Sequence, residues 1–446
     1  MRIKVWLSIL LCIGMLAGCS FPLDSWSLSE DREKNTLGLT PDFSYSVEQQ
    51  TPNILINQLG YRPEDSKVAI LQGRELSPAY YVYHTATDTL VFTGSLKEAG
   101  LAAYGEDAKE AGQENRLYTA DFSDLEEEGS YYLFHEELGY SDPFLIENDI
   151  YLPLESHILE QLAEENRDTS GLCYQLAGML MTQELYGEQI QEIERFHQIL
   201  EEKIQLLMRA RNQETGGVYE TIEGTNISLA ATAEFAGVMA MYAGSLKGRN
   251  ENLAVDYQRL AEEAYGSIRN SLDNVSYDAG YFAVTQLFKQ TGKKQYAQAI
   301  SQYLSMKEEQ KSYTRYDFSL FGDFAYLSCS YGVNLEWSRQ LMNKVMKQAE
   351  NISLTSSRDN YYLSHNREHY QVDGILRDMS VMALVNYIIP NHEYTTLQKN
   401  YLDYLLGRNP GAVCLAEGFG SRNISQSEMV DKENAALFYL LLQSTK

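Results

Sequence analysis

The sequence predicts two folded units in series, an all-β sandwich and then an all-α domain of paired helices. Three observations predict it. Between Ile54 and Ile146, short runs of β-branched and aromatic residues alternate with turn residues. From about Tyr151 onward, apolar residues recur at three- and four-residue spacing. The chain has 446 residues, 44% of them hydrophobic, which is enough for two cores.

The strand runs are Ile54-Leu55-Ile56, Val68 to Leu71, Tyr80 to Tyr83, Leu90-Val91-Phe92 and Tyr131 to Phe134. Gly60, Arg62-Pro63, Gly94 and Gly129 punctuate them, because glycine and proline supply the backbone angles that turns need. Short strands at this regular spacing predict an Ig-like sandwich over 51–148.

The helical runs include Ile193 to Arg211, Ser228 to Leu246, Ala254 to Leu272 and Met379 to Tyr387. Ile204, Leu207 and Met208 illustrate the period, which puts apolar side chains on one stripe. Twelve helices of about 12 residues with loops of about 6 need roughly 216 residues. The stretch 149–446 therefore has room for a six-hairpin (α/α)6 barrel.

The first residues predict export. Arg2 and Lys4 precede the apolar run Val5 to Leu16, which is too short to span a bilayer. Leu16-Ala17-Gly18-Cys19 then resembles a bacterial lipobox, which implies a signal over 1–19 and lipidation of Cys19. Residues 20–50 are polar and aperiodic, as expected of a flexible tether. No later run reaches 18 consecutive apolar residues. The expected location is extracytoplasmic, lipid-anchored to a bacterial membrane.

Net charge is −26, which excludes nucleic acid as a partner, since phosphate binding needs a basic surface. A neutral polysaccharide would not be repelled. Cys173, Cys329 and Cys414 are widely spaced and lack a CxxC pattern, so they are expected to be single thiols. His365 and His369 are spaced i, i+4, but the sequence offers no third ligand, and no metal or cofactor is expected.

Several motifs carry a resemblance. Ile54 to Tyr61 with Pro63, Asp121-Phe122-Ser123, Gly129 to Tyr132, and Pro143-Phe144 resemble the cellulase N-terminal Ig-like domain. Gly216 to Tyr219, Ala230 to Ala236, Thr291-Gly292, Tyr401 to Pro410 and Gly418 to Ser421 resemble glycoside hydrolase family 9 in the same order. The resemblance implies an Ig-like domain supporting an (α/α)6 barrel, and a β-1,4-glucan as substrate class.

The family reaction is inverting hydrolysis. One carboxylic acid protonates the leaving oxygen, and a carboxylate about 6.5–9.5 Å away activates water on the opposite face. Ser427 to Leu437 resembles the family's acid motif, which places Glu428 at the acid. Asp168 to Met179 resembles its base motif, but Gln175 stands for the first aspartate and Gly178 or Met179 for the second. A neutral amide is too weak to take a proton from water. Asp168 is the nearest alternative base, with Glu164 and Glu165 beyond it. Asp278, in a second "DAG", falls too late in the chain and reads as a helix-start residue.

Substrate contact is expected from Tyr174 and Arg422. Trp337 is the one tryptophan in the folded body, so tyrosine rings are the available sugar platforms. The family's sugar-contacting loop after Gly420 is shortened to Ser421–Gln426. Two readings follow: a hydrolase with an unrecognised base, or a non-catalytic glucan-binding or scaffolding lipoprotein, for example beside polysaccharide synthesis or export.

Overall fold

The structure, a computed structural model, describes residues 52–101, 116–364, 372–421 and 429–446. The expected signal, the tether and Cys19 lie outside the described residues, as do His365, His369, Arg422 and Glu428.

The first part is a two-sheet sandwich. One sheet has the order β1 (Ile54–Leu55), β3 (Val68–Gly73), β7 (Arg116–Asp121), β6 (Lys97–Leu101). The other runs β2 (Gly60–Tyr61), β10 (Phe144–Ile146), β8 (Gly129–His135), β4 (Ala79–His84), β5 (Thr89–Ser95), with β9 (Gly139–Tyr140) paired to β8. Strand side chains alternate between faces. Ala69 and Leu71 of β3 therefore enter the sandwich core with Tyr61, Phe122 and Phe144. Ile70, with Leu55 and Leu117, points the other way and joins the core of the helical part. The strand β3 is thus buried on both faces, which explains the unbroken apolar run Val68 to Leu71, whereas β6 at the sheet edge is exposed.

The second part contains twelve α-helices among the described residues. They are α1 (Leu152–Ala163), α2 (Thr169–Tyr186), α3 (Ile193–Met208), α4 (Leu229–Leu246), α5 (Glu251–Ile268) and α6 (Tyr277–Thr291). Then follow α7 (Lys294–Ser305), α8 (Ser319–Leu327), α9 (Leu335–Ser356), α10 (Val372–Ile388), α11 (His392–Leu405) and α12 (Ala435–Ser444). A short hairpin, β11 (Val218–Tyr219) with β12 (Ile227–Ser228), leads into α4.

Even- and odd-numbered helices differ in composition and in burial. The 10 residues of α12 are all buried, and α4 buries its middle from Ala231 to Ala243 without a break. Odd helices bury one stripe only, as in α3 with Phe196, Ile199, Leu200, Lys203, Ile204 and Leu207. The apolar length of α4 would suit a membrane span, but 72% of it is buried within the fold, as in a core helix. The even helices pack on one another, α2 on α4, α4 on α6, α6 on α8, α10 on α12 and α12 on α2. Asp168, Ser228, Asn250, Asn334 and Asn391 cap the N-termini of α2, α4, α5, α9 and α11 through side-chain oxygens.

Two motifs read separately in the sequence join the two parts. The Asn57 amide donates to Asp403 Oδ1 at 2.9 Å and to the Tyr151 hydroxyl at 3.0 Å. Gln58 donates from its backbone to Leu406 O at 2.9 Å and from its side chain to Ala412 O at 2.7 Å. Arg408, fully buried, pairs with Asp403 at 3.1 Å and donates to Val68 O at 3.3 Å. Lys399 and Asp65 pair at 2.5 Å. The run Asn57-Gln58 and the run Tyr401 to Pro410 are thus each other's partners.

Candidate functional site

The N-terminal ends of α2, α8, α10 and α12 surround a cleft of about 170 Å³. Tyr174, on the first turns of α2, forms its wall, stacked on Tyr316 at 5.2 Å and edge-on to Phe318 at 5.5 Å. The loop before α8 supplies Arg315, Tyr316 and Asp317. The start of α10 supplies Asp373 and Arg377, and the turn before α12 supplies Asp431, Glu433 and Asn434.

Asp278 positions that loop. It sits in the first turn of α6, fully buried, and accepts from Thr314 N at 3.1 Å, Thr314 Oγ1 at 2.6 Å and Phe318 N at 3.3 Å. The second "DAG" is therefore a helix-start residue, and its carboxylate clamps the segment that carries Arg315, Tyr316 and Asp317.

Four carboxylates line the cleft, and each is engaged. Asp317 accepts from Ser319 N at 2.9 Å. Glu433 pairs with Arg315 at 2.9 Å. The Asn434 amide nitrogen donates to both Asp373 Oδ1 at 2.7 Å and Asp431 Oδ1 at 3.1 Å, drawing these two carboxylates together. Burial pushes the Tyr174 hydroxyl well above the ordinary tyrosine value, so it stays protonated, while the ring is buried against Tyr316, Phe318 and Phe321.

Gln175, Gly178 and Met179, where the resemblance sets the family's aspartates, all lie on α2, and Met179 is fully buried. The Gln175 amide donates to Lys432 O, while its Oε1 accepts from Lys203 Nζ at 3.1 Å. Lys203 is buried on α3, also donates to Glu164 O at 3.0 Å, and burial lowers its pKa to about 8. Three turns of sequence signalled it, because Lys203 falls on the apolar stripe of α3 rather than on its wet face. Gly178 faces α12 so closely that a Cβ there would lie 2.8 Å from Ala436 Cβ. A carboxylate at 178 has no room.

Asp168 is the N-cap of α2, with Oδ2 accepting from Gly171 N at 2.9 Å. It adjoins the cleft floor without lining the cavity. Of the further base candidates, Glu165 pairs with Arg167 at 3.4 Å, and Glu164 is exposed at the end of α1. Behind Asp168 lies Glu234 of α4, fully buried. Burial raises its pKa to about 8, against the lowering effect of Ser170. Sequence reasoning missed Arg315, Tyr316, Asp317, Asp373, Asp431 and Glu433, which come from loops and helix starts without periodicity.

A larger cavity of about 440 Å³ opens at the other ends of α2, α4, α6 and α8. Its cations are spent on local partners. Lys247 donates to Gln290 O, Arg249 to Ser245 O, and Lys289 pairs with Glu184. Basic groups at helix C-termini commonly do this. Among the described residues, none of those named for chemistry from the family motifs lines it. Among the described residues, no group of three or more His, Cys, Asp or Glu side chains is placed to hold a metal ion.

Comparison with known proteins agrees with this architecture. Residues 49–139 match the cellulase N-terminal ig-like domain, and residues 174–429 match glycosyl hydrolase family 9. No curated protein sequence matches. Among solved structures, a family 9 glycoside hydrolase from Bacteroides ovatus has a TM-score of 0.71 at 16% identity, covering 88% of this chain and 98% of its own. A single-mutant thermostable endoglucanase from Alicyclobacillus acidocaldarius has a TM-score of 0.70 at 16% identity, covering 86% of this chain and 87% of its own. AaCel9A in complex with cellobiose-like isofagomine has a TM-score of 0.68 at 16% identity, covering 86% and 87%. These likenesses describe the fold. The family match, which spans more than half of the chain, says more: this protein belongs to glycosyl hydrolase family 9, with a cellulase N-terminal Ig-like domain ahead of its helical part.

Proposed function

We propose that the protein binds a β-1,4-glucan-type polysaccharide in the cleft beside Tyr174 and Tyr316, on an (α/α)6 barrel, without hydrolysing it by the family's route. The observation that carries this reading is Gln175, whose amide is committed to Lys203 and to Lys432 O. Inversion needs a carboxylate to deprotonate water. An amide offers no such base, and neither Gly178, packed against Ala436, nor Met179 carries a carboxylate. The polysaccharide class follows from the family, one of whose structural neighbours holds cellobiose-like isofagomine.

Retardation in affinity electrophoresis on soluble β-1,4-glucan, with no release of reducing ends, is the expected result. Release of reducing ends at high protein concentration would refute the non-hydrolytic reading.

A second reading has one observation in its favour. Asp317, Asp373, Asp431 and Glu433 are carboxylates in the cleft, and one of them would take the family's base role, with Glu428 in the acid role that its motif implies. That reading requires release of reducing ends that Glu428→Gln abolishes.

The N-terminal motif supports a place for this activity, at the outer face of a membrane with Cys19 lipidated. Cys19→Ser should release the protein from the membrane fraction or leave it unprocessed. Unaltered membrane retention with normal processing would remove the anchor from the account.

A further inference from the structure

The two sheets of the sandwich meet different surroundings. The outer face of the β1-β3-β7-β6 sheet is covered by the helical part, through Leu55, Ile70 and Leu117. The outer face of the other sheet carries a strip of five aromatic rings instead. Cross-strand register assembles it, pairing Tyr81 with Phe134, Tyr83 with Tyr132, and Phe134 with Tyr140. Ring centroids of Tyr83 and Tyr132 lie 5.5 Å apart and nearly parallel, while Phe134 and Tyr140 lie 5.0 Å apart. Tyr140 is 68% exposed, and the other four rings are half-buried by one another.

We propose that this strip on β4, β8 and β9 is a second polysaccharide-binding surface, for a neutral β-linked glycan chain. The inference rests on the glucan-binding reading above. Cross-strand aromatic pairs do stabilise sheets, but that role does not require a ring as exposed as Tyr140. Four of the five rings are tyrosines, which offer an apolar face and a hydroxyl edge together, as a sugar does. The hydroxyl rim continues at Thr85 and Ser130, 3.0 Å apart, and at Thr87 and Thr89. The Asp88 carboxylate is taken by the Tyr132 hydroxyl. Charge selects the partner's chemistry. A chain of net charge −26 is repelled by anionic lipid and by nucleic acid, but not by a neutral polysaccharide. Placed on the sandwich, the strip would hold a chain outside the cleft and raise its local concentration there.

The test uses affinity electrophoresis of the full chain on gels holding soluble β-1,4-glucan, xylan or mannan, with circular dichroism to verify folding. Tyr140→Ala and Tyr83→Ala are compared with the cleft variant Tyr316→Ala. Tyr140 projects from a two-residue edge strand, so its variant keeps the fold even if Tyr83→Ala does not. About tenfold weaker retardation is expected for Tyr140→Ala combined with Tyr83→Ala, with retardation left over in Tyr316→Ala. Retardation of folded Tyr140→Ala equal to the parent, with loss confined to Tyr316→Ala, overturns the second surface and leaves the cleft reading standing. Loss confined to the sandwich variants overturns the cleft reading and keeps the second surface. No retardation of the parent on any of the three gels overturns both.

Discussion

Asn57 and Asp403 are hydrogen-bonded at 2.9 Å across the junction of the two parts, and Arg408 holds the same carboxylate at 3.1 Å. Asn57 is in the turn ahead of β2, and Asp403 is near the end of α11. All three side chains are buried. Removing one member of such a pair strands a buried charge, at a cost of about 3–5 kcal/mol. Asp403→Ala should therefore lower stability by that amount in urea denaturation. A loss below about 1 kcal/mol would mean that the junction does not depend on this pair.

Glu234 predicts a pH dependence. Its folded pKa is raised to about 8, above the value of an unfolded glutamate. The folded state then binds more protons than the unfolded state between these two values, so stability falls as pH rises through that window. Below the unfolded pKa both states are protonated, so the slope is zero and the contribution is fully present. Thermal melts should show stability declining between about pH 5 and pH 8, and Glu234→Gln should flatten that decline. An unchanged slope in the variant would assign the dependence to other groups.

Lys203 acts in the opposite direction. Burial lowers its pKa to about 8 from 10.5. Between those values the unfolded state binds the extra proton, so this group's contribution to stability improves as pH rises from 8 to 10.5. Gln175→Glu would place a carboxylate where Oε1 now lies 3.1 Å from Lys203 Nζ. The new pair should raise the lysine pKa, readable by NMR titration, and should not confer hydrolysis, because the carboxylate is spent on the ammonium.

Gly178 marks where two core helices come closest. Gly178→Ala forces its Cβ against that of Ala436 at 2.8 Å, and overpacking of this kind costs about 1–3 kcal/mol. A drop in Tm is expected. Gly178→Asp should be worse and should not restore activity. A Gly178→Asp variant as stable as the parent would show that α12 yields, and that the second base position is open.

Much of this was legible in the sequence. The five strand runs and the four helical runs lie on observed elements, although Leu90 and Val91 of β5 are exposed in spite of their apolar character. The family motifs were legible as motifs, but not as contacts. Nothing in Asn57-Gln58 says that its partner is Asp403 or Leu406, since that pairing is made only by the packing of two domains. Tyr174 was legible from its motif, whereas Tyr316, its stacking partner, sits in an aperiodic loop whose shape depends on Asp278. The sequence already shows Gln175, and Gly178 or Met179, in the stretch that resembles the family's base motif. That Lys203 and Ala436 occupy the space was not legible, although the placement of Lys203 on an apolar stripe was a signal.

The cleft itself makes a prediction. Tyr316→Ala removes the ring stacked on Tyr174 and should weaken glucan retention about tenfold. Equal retention in a folded variant would move binding away from this wall.

The most direct test of the account places reducing-end release beside glucan binding, on the same soluble β-1,4-glucan and the same preparation. The account predicts retardation in the gel with no reducing ends above background at high protein concentration. Release that disappears in Glu428→Gln would contradict it, and would mean that a cleft carboxylate has taken over the role that Gln175 does not fill.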